Sequence, residues 1–145
     1  MRRVKTAGLH HVALGARDVE RVASFYREVL GLTELARHRT DTGALRSVWL
    51  ALGAGAVLMI EATEAPARPR REGVDAGPFL LAFHVAREER PAWEARLKAA
   101  GAPIEGRTAA TSYARDPEGN RVAVSCYALP PEAGLREADP PEANP

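Results

Sequence analysis

The hydrophobic period of the chain changes once between Leu9 and Leu32, and that change predicts a strand followed by a helix. His11-Val12-Ala13-Leu14 alternates, with Val12 and Leu14 on one face and His11 and Ala13 on the other, as in a strand whose faces meet different surroundings. Val22, Phe25, Tyr26 and Val29 then recur at i, i+3, i+4 and i+7, behind Asp18 as N-cap and ahead of Gly31 as a left-handed stop. A helix packed on the Val12/Leu14 face leaves His11 on the opposite side. There it either satisfies a hydrogen bond at a sheet or dimer surface, or binds a metal or ligand on the floor of a trough.

Strand patterns continue over 32–39, 45–52 and 56–62, with Thr40-Asp41-Thr42-Gly43 and Gly53-Ala54-Gly55 as turns. The segment 56–62 is apolar except for Glu61, a carboxylate that among such neighbours must be paired, hydrogen-bonded, ligating or placed at a wet strand end. Residues 63–78 hold three prolines, three arginines and two glycines without periodicity, which predicts a connection. The pattern then repeats: a strand over 79–85, a helix over 90–100 with Pro91 in its first turn and Gly101 as stop, and short strands over 102–105, 108–115 and 120–127. Laying Gly101 on Gly31 puts Leu81-Ala82-Phe83 on Val12-Ala13-Leu14. The chain therefore reads as two copies of a strand-helix-strand-strand-strand module, 7–63 and 79–128, joined by the linker 64–78 and followed by a mobile, proline-rich tail over 129–145.

The 145 residues are one domain's worth, and a 46% hydrophobic fraction suits a globular protein. A net charge of +1, from 20 basic and 19 acidic residues, argues against nucleic acid as the main partner, because phosphate neutralisation needs a concentrated basic surface. Only Arg68, Arg70 and Arg71 cluster, as in a solvated loop; Arg37, His38 and Arg39 are expected at a solvated strand end. No apolar run approaches the ~20 residues of a membrane span, and the basic start lacks a signal-peptide core, so no membrane partner and a cytoplasmic location are expected. The single cysteine, Cys126, lies in an apolar stretch, as a buried inert thiol would, and excludes a disulfide framework or a multi-cysteine zinc site.

Asp116-Pro117-Glu118-Gly119-Asn120 is a tight-turn signal. Taken with His11-Val12-Ala13-Leu14, Asp18, Phe25-Tyr26 and Leu30-Gly31-Leu32, it makes the chain resemble the vicinal oxygen chelate superfamily, the glyoxalase, bleomycin-resistance and extradiol-dioxygenase group. The resemblance implies an α+β fold of two βαβββ modules forming a cupped mixed sheet with helices outside. It also implies a homodimer and a divalent metal, Zn, Ni, Mn or Fe, held by one residue from each of four strands. His11 matches the first ligand and Glu61 the second, but Leu80 and Ala123 stand at the third and fourth, and neither offers a lone pair. Two protein ligands hold a catalytic ion poorly. His84 does not replace residue 80, since four residues of strand span ~13 Å. It is expected instead to contact ligand, together with Trp49, Tyr113 and Arg121, because aromatic rings with a few polar groups suit a small organic molecule.

Three functions follow from this reading. The first is a small-molecule-binding protein of the glyoxalase or bleomycin-resistance type with an incomplete metal site and no bound metal. The second is a metal-dependent lyase, isomerase or dioxygenase using His11 and Glu61. The third is a dimer whose trough is vestigial.

Overall fold

The computed structural model describes residues 3–70 and 72–131, which form two compact units. The first unit holds the described residues up to Asp75 together with Arg115–Asn120; the second runs from Ala76 to Ala114 and resumes at Arg121.

The first unit begins with β1 (His11–Ala16) and α1 (Val19–Ser24), continues through a π-helical turn (Phe25–Val29), and ends with β2 (Glu34–Arg39), β3 (Leu45–Gly53) and β4 (Ala56–Ala62). Its sheet has the order β1-β4-β3-β2, with β1 parallel to β4 and both hairpins antiparallel. Val48 and Leu50 of β3 and Leu58 and Ile60 of β4 are fully buried on the side that α1 covers, with Val22, Ala23 and Phe25 opposite. Full burial of each such side chain contributes about 1.5–3 kcal/mol. Asp18 caps α1 as expected, its carboxylate accepting from the Arg21 amide at 3.0 Å. The expected single helix instead widens after Ser24. The Leu30 amide reaches back five residues to the Phe25 carbonyl, and Leu32 closes on the Tyr26 carbonyl at 3.0 Å across Gly31, whose φ of 78° only glycine adopts freely. Arg37, expected in water, donates to Glu20 and Glu34 at 2.7 Å each, and Arg27 shares both acids. These arginines hold both carboxyls below the ordinary carboxylate range, against a smaller opposing effect of burial.

The second unit repeats the plan with β5 (Leu81–His84), a 3-10 turn (Arg87–Glu89), α2 (Arg90–Ala99), β6 (Gly106–Arg107), β7 (Thr111–Arg115) and β8 (Arg121–Ser125). Its order, β5-β8-β7-β6 with β5 parallel to β8, is that of the first sheet, so the fold is α+β and built from two βαβββ modules. No strand forms over 102–105. The Ala102 amide is taken by the Leu97 carbonyl at 2.9 Å in the motif that ends α2 around Gly101, and pairing with β7 starts only at the Glu105 amide. Glu94 ties α2 to the sheet, accepting from Ser112 Oγ at 2.6 Å and from Arg107, and these two donors hold its carboxyl down to about 2. Arg90 donates to the same Ser112 hydroxyl and to the carbonyls of Thr108 and Ala109.

The connecting residues 64–70 and 72–78 contain no helix or strand, and the expected tail lies outside the described residues from 132 onward. No helix among the described residues is long and apolar enough to cross a membrane.

Candidate ligand site

Residue alternation gives each sheet a second face, turned away from its helix. In the first unit this face carries His11, Ala13 and Gly15 of β1, Val57, Met59 and Glu61 of β4, Ser47, Trp49 and Ala51 of β3, and Ala36 and His38 of β2. The two residues expected to start a metal site lie far apart on it. His11 stands beside Val57, whereas Glu61 stands beside Gly15, four residues further along. That offset is about 13 Å of strand, against metal-ligand bonds of about 2 Å, so the expected His11/Glu61 pair is not brought together. The His11 Nδ1 is instead 2.8 Å from the Nδ1 of His10, one donating and one accepting.

The repeat explains the offset. Val12, Ala13 and Leu14 correspond to Leu81, Ala82 and Phe83; Ala13 pairs with Met59, and Ala82 pairs with Ala123. The position equivalent to Ala123 in the first module is therefore Met59, two residues before Glu61. The four positions at which the resemblance expects donors read His11, Met59, Leu80 and Ala123, one imidazole and three side chains without a hard donor. Such a set does not fit a catalytic divalent ion, which takes nitrogen and oxygen ligands. Among the described residues no three His, Cys, Asp or Glu side chains are grouped to share one. The module superposition in the sequence stops at the first strand and helix, and it takes the cross-strand register to carry it onto β4 and Met59.

Freed from a metal, Glu61 belongs to a different arrangement. The ladders place His38 opposite Ser47, Ser47 opposite Glu61 and Glu61 opposite Gly15, a row across all four strands. Ser47, 2% exposed, donates its hydroxyl to Glu61 Oε1 at 3.0 Å. Glu61 has no other hydrogen-bond donor and no cationic partner among the described residues. Gly15 brings no side chain, and a Cβ there would come within 3.3 Å of Thr63 Cγ2, so the row ends against that methyl. One step along β3, the half-buried Trp49 meets the His38 ring edge-on with centroids 4.7 Å apart. His38, expected at a solvated strand end, is thus packed on an aromatic. Trp49 Nε1 and His38 Nε2 are both buried with no hydrogen-bond partner among the described residues, an arrangement that costs about 1–3 kcal/mol per group.

The second unit carries a milder version of the row. His84 stands opposite Ser125, whose hydroxyl shares a 2.8 Å hydrogen bond with Thr111 Oγ1. Tyr113 is on the same face of β7, and Arg121 starts β8 with its guanidinium 4.1 Å from the centre of the Phe79 ring. His84 and Arg121 therefore sit at opposite ends of this face, about 13 Å of strand apart. Cys126 follows β8 half-buried, its thiol 3.4 Å from the Ala110 carbonyl.

A contact that sequence reasoning missed sits in the turn after β7. Asp116, 2% exposed, accepts from the Tyr26 hydroxyl at 2.7 Å, the Asn120 side-chain amide at 2.9 Å, and the amides of Glu118 and Asn120 at 2.9 Å each. Burial, and then the Asp116 charge, push the Tyr26 phenol well above its ordinary range, so it remains a donor. Both motifs were visible, but nothing in the period of a helix reveals a bond to a turn 90 positions away.

Comparison with known proteins agrees with this fold. The profile of the Glyoxalase/Bleomycin resistance protein/Dioxygenase superfamily matches residues 8–124. Among solved structures, the fosfomycin resistance protein FosX from Listeria monocytogenes superposes with a TM-score of 0.71 at 20% identity, covering 86% of this chain and 94% of that one. A glyoxalase/dioxygenase from Nostoc punctiforme gives 0.70 at 20% identity over 89% and 99%. Lactoylglutathione lyase from Agrobacterium tumefaciens gives 0.59 at 23% identity over 83% and 93%. FosX has also been solved with Mn(II). No curated protein sequence matches the chain.

Proposed function

Since the chain belongs to the Glyoxalase/Bleomycin resistance protein/Dioxygenase superfamily, the vicinal oxygen chelate group, we propose that it is a small-molecule-binding protein of that fold, working without a complete metal site. The observation that carries this reading is the β1/β4 register, which sets Met59 where a second metal ligand would be needed and moves Glu61 about 13 Å away from His11. What remains on the first sheet is an apolar and aromatic face, Trp49, Met59 and Ala51, with one polar row, a composition suited to holding an organic molecule. In the second unit His84, Tyr113 and Arg121 are proposed as ligand contacts of the same kind. The protein is proposed to act in the cytoplasm as a homodimer, with a small organic molecule rather than nucleic acid or membrane as its partner.

The Mechanism of capture needs no bond-making step. Apolar walls remove ligand surface from water, and the few polar groups choose its orientation. A ligand of this kind stabilises the folded chain by mass action, by about 2.7 kcal/mol at a hundred times its Kd, and so raises the melting temperature.

The second reading, a metal-dependent lyase, isomerase or dioxygenase, is favoured by one observation: the superfamily's first ligand position is retained as His11. Elemental analysis of purified protein before and after incubation with Zn, Ni, Mn and Fe(II) separates the two. The binding reading expects less than stoichiometric metal and a melting temperature that rises with members of a small-molecule panel. One ion per chain, lost in His11→Ala, overturns it in favour of the enzyme.

A further inference from the structure

The polar row on the first sheet names a ligand class, on the premise that this face captures a small molecule. Its central feature is a carboxylate with unused capacity. Glu61 Oε1 accepts from Ser47, but among the described residues none donates to Oε2 and no cation neutralises the charge. An ionised carboxylate accommodates up to four hydrogen bonds, and holding one half-buried among apolar neighbours without a counter-charge is unfavourable. The neighbours here are apolar: Met59 precedes it by two residues on the same face, and Trp49 is directly opposite Met59. Ser47 holds the carboxylate from one side, so it cannot swing into solvent without breaking a hydrogen bond from a buried hydroxyl.

We propose that this face binds an organic cation, a protonated amine or guanidinium carried on an aromatic or alkyl body, with Glu61 Oε2 as its counter-charge and Trp49 and Met59 as its apolar wall. The spacing supports the match. Trp49 lies two residues along β3 from Ser47, about 6.6 Å of strand, so a linker of two methylenes lets an ammonium at Glu61 and an attached aryl ring at Trp49 share one face. The indole face is attractive to the same charge. An anionic ligand would meet the Glu61 carboxylate with no cation beside it, and a neutral one would leave that carboxylate unpaired. Charge complementarity therefore selects a cation over either alternative.

The test titrates the full chain carrying Trp93→Phe, so that Trp49 is the only indole, with phenethylamine, its neutral analogue 2-phenylethanol and the anion phenylacetate, following Trp49 fluorescence. The amine is expected to bind about tenfold or more tightly than the alcohol, and the anion more weakly than both. Glu61→Gln is expected to remove the preference for the amine, weakening the amine while the alcohol binds at least as tightly as before. Equal affinities for amine and alcohol, or an amine preference that survives Glu61→Gln, overturn the cation and leave small-molecule capture standing. Fluorescence that depends on protein concentration and not on any of the three probes overturns it too, because a second copy of the chain then covers the face. The metal content and melting-temperature panel described above decide the broader reading independently.

Discussion

Two carboxylates of the first unit show opposite uses of the same chemical group. Asp116 is buried and fully employed, with Tyr26, Asn120 and two backbone amides all donating to it. Glu61 is half-buried and has a single donor among the described residues, Ser47. Neither has a cationic partner among the described residues to explain its charge by ion pairing. The number of donors decides what each is for. Four hydrogen bonds compensate the desolvation of Asp116 inside the folded chain, so the group does structural work. One hydrogen bond leaves Glu61 with accepting capacity that is open to water or to a ligand.

The largest test of this contrast is Asp116→Ala. It strands the Tyr26 hydroxyl and two turn amides in a buried setting, at roughly 1–3 kcal/mol per orphaned group, and is expected to cost roughly 3–5 kcal/mol of stability, read from urea unfolding. A loss under 1 kcal/mol would mean that the turn re-solvates and that Asp116 is no more structural than Glu61.

A smaller effect is expected at another employed carboxylate, Glu94 in the second unit. Arg107 and Ser112 hold its pKa at about 2, below the 4.5 of the free group. A folded pKa below the unfolded one gives stability that is present above about 4.5 and lost as the pH falls through about 2. The carboxylate is 20% and Arg107 56% exposed, so solvent screening reduces the contribution to roughly 1–2 kcal/mol. Glu94→Gln should therefore unfold more easily than the parent at pH 7 and lose less on acidification to pH 3; parallel pH profiles for the two proteins would remove Glu94 from the set.

How much of this was legible beforehand follows from the range of each interaction. The strand at 56–62, the Asp18 cap and the Gly31 stop were readable because each is decided within a few residues of itself. The face on which His11 lies was readable for the same reason, since alternation has a period of two. The partner of Glu61 was not. Carrying a family position onto β4 from local motif alone slips by two residues without changing the face, so the alternation pattern raises no objection. Only the cross-strand register, which pairs Ala13 with Met59 and Gly15 with Glu61, separates the two. The Tyr26–Asp116 bond and the row from His38 to Glu61 are invisible for the same physical reason: both are made between strands or turns whose spacing is fixed by pairing, not by sequence distance. The π-helical turn at Phe25–Val29 escaped as well, because its apolar positions satisfy the ordinary helical period.

Tyr26→Phe sharpens the comparison from the donor's side. It removes one of four hydrogen bonds to Asp116 and leaves the carboxylate oxygen with the Asn120 side chain still donating, so roughly 1–2 kcal/mol should be lost, less than in Asp116→Ala. A double-mutant cycle over the two positions measures the coupling, and a coupling near zero would show the 2.7 Å contact to be incidental.

The smallest effect should fall on Glu61 itself. Glu61→Gln keeps an acceptor for the Ser47 hydroxyl and removes a charge that has no cationic partner among the described residues, so the hydrogen bond is retained while the cost of holding that carboxylate among Met59 and Trp49 falls. Stability in the absence of ligand should change by less than about 0.5 kcal/mol or rise slightly, the reverse of what a structural carboxylate gives. A loss comparable to that of Asp116→Ala would mean that Glu61 is already satisfied within the fold, and the difference between the two carboxylates would then be one of exposure, not of purpose.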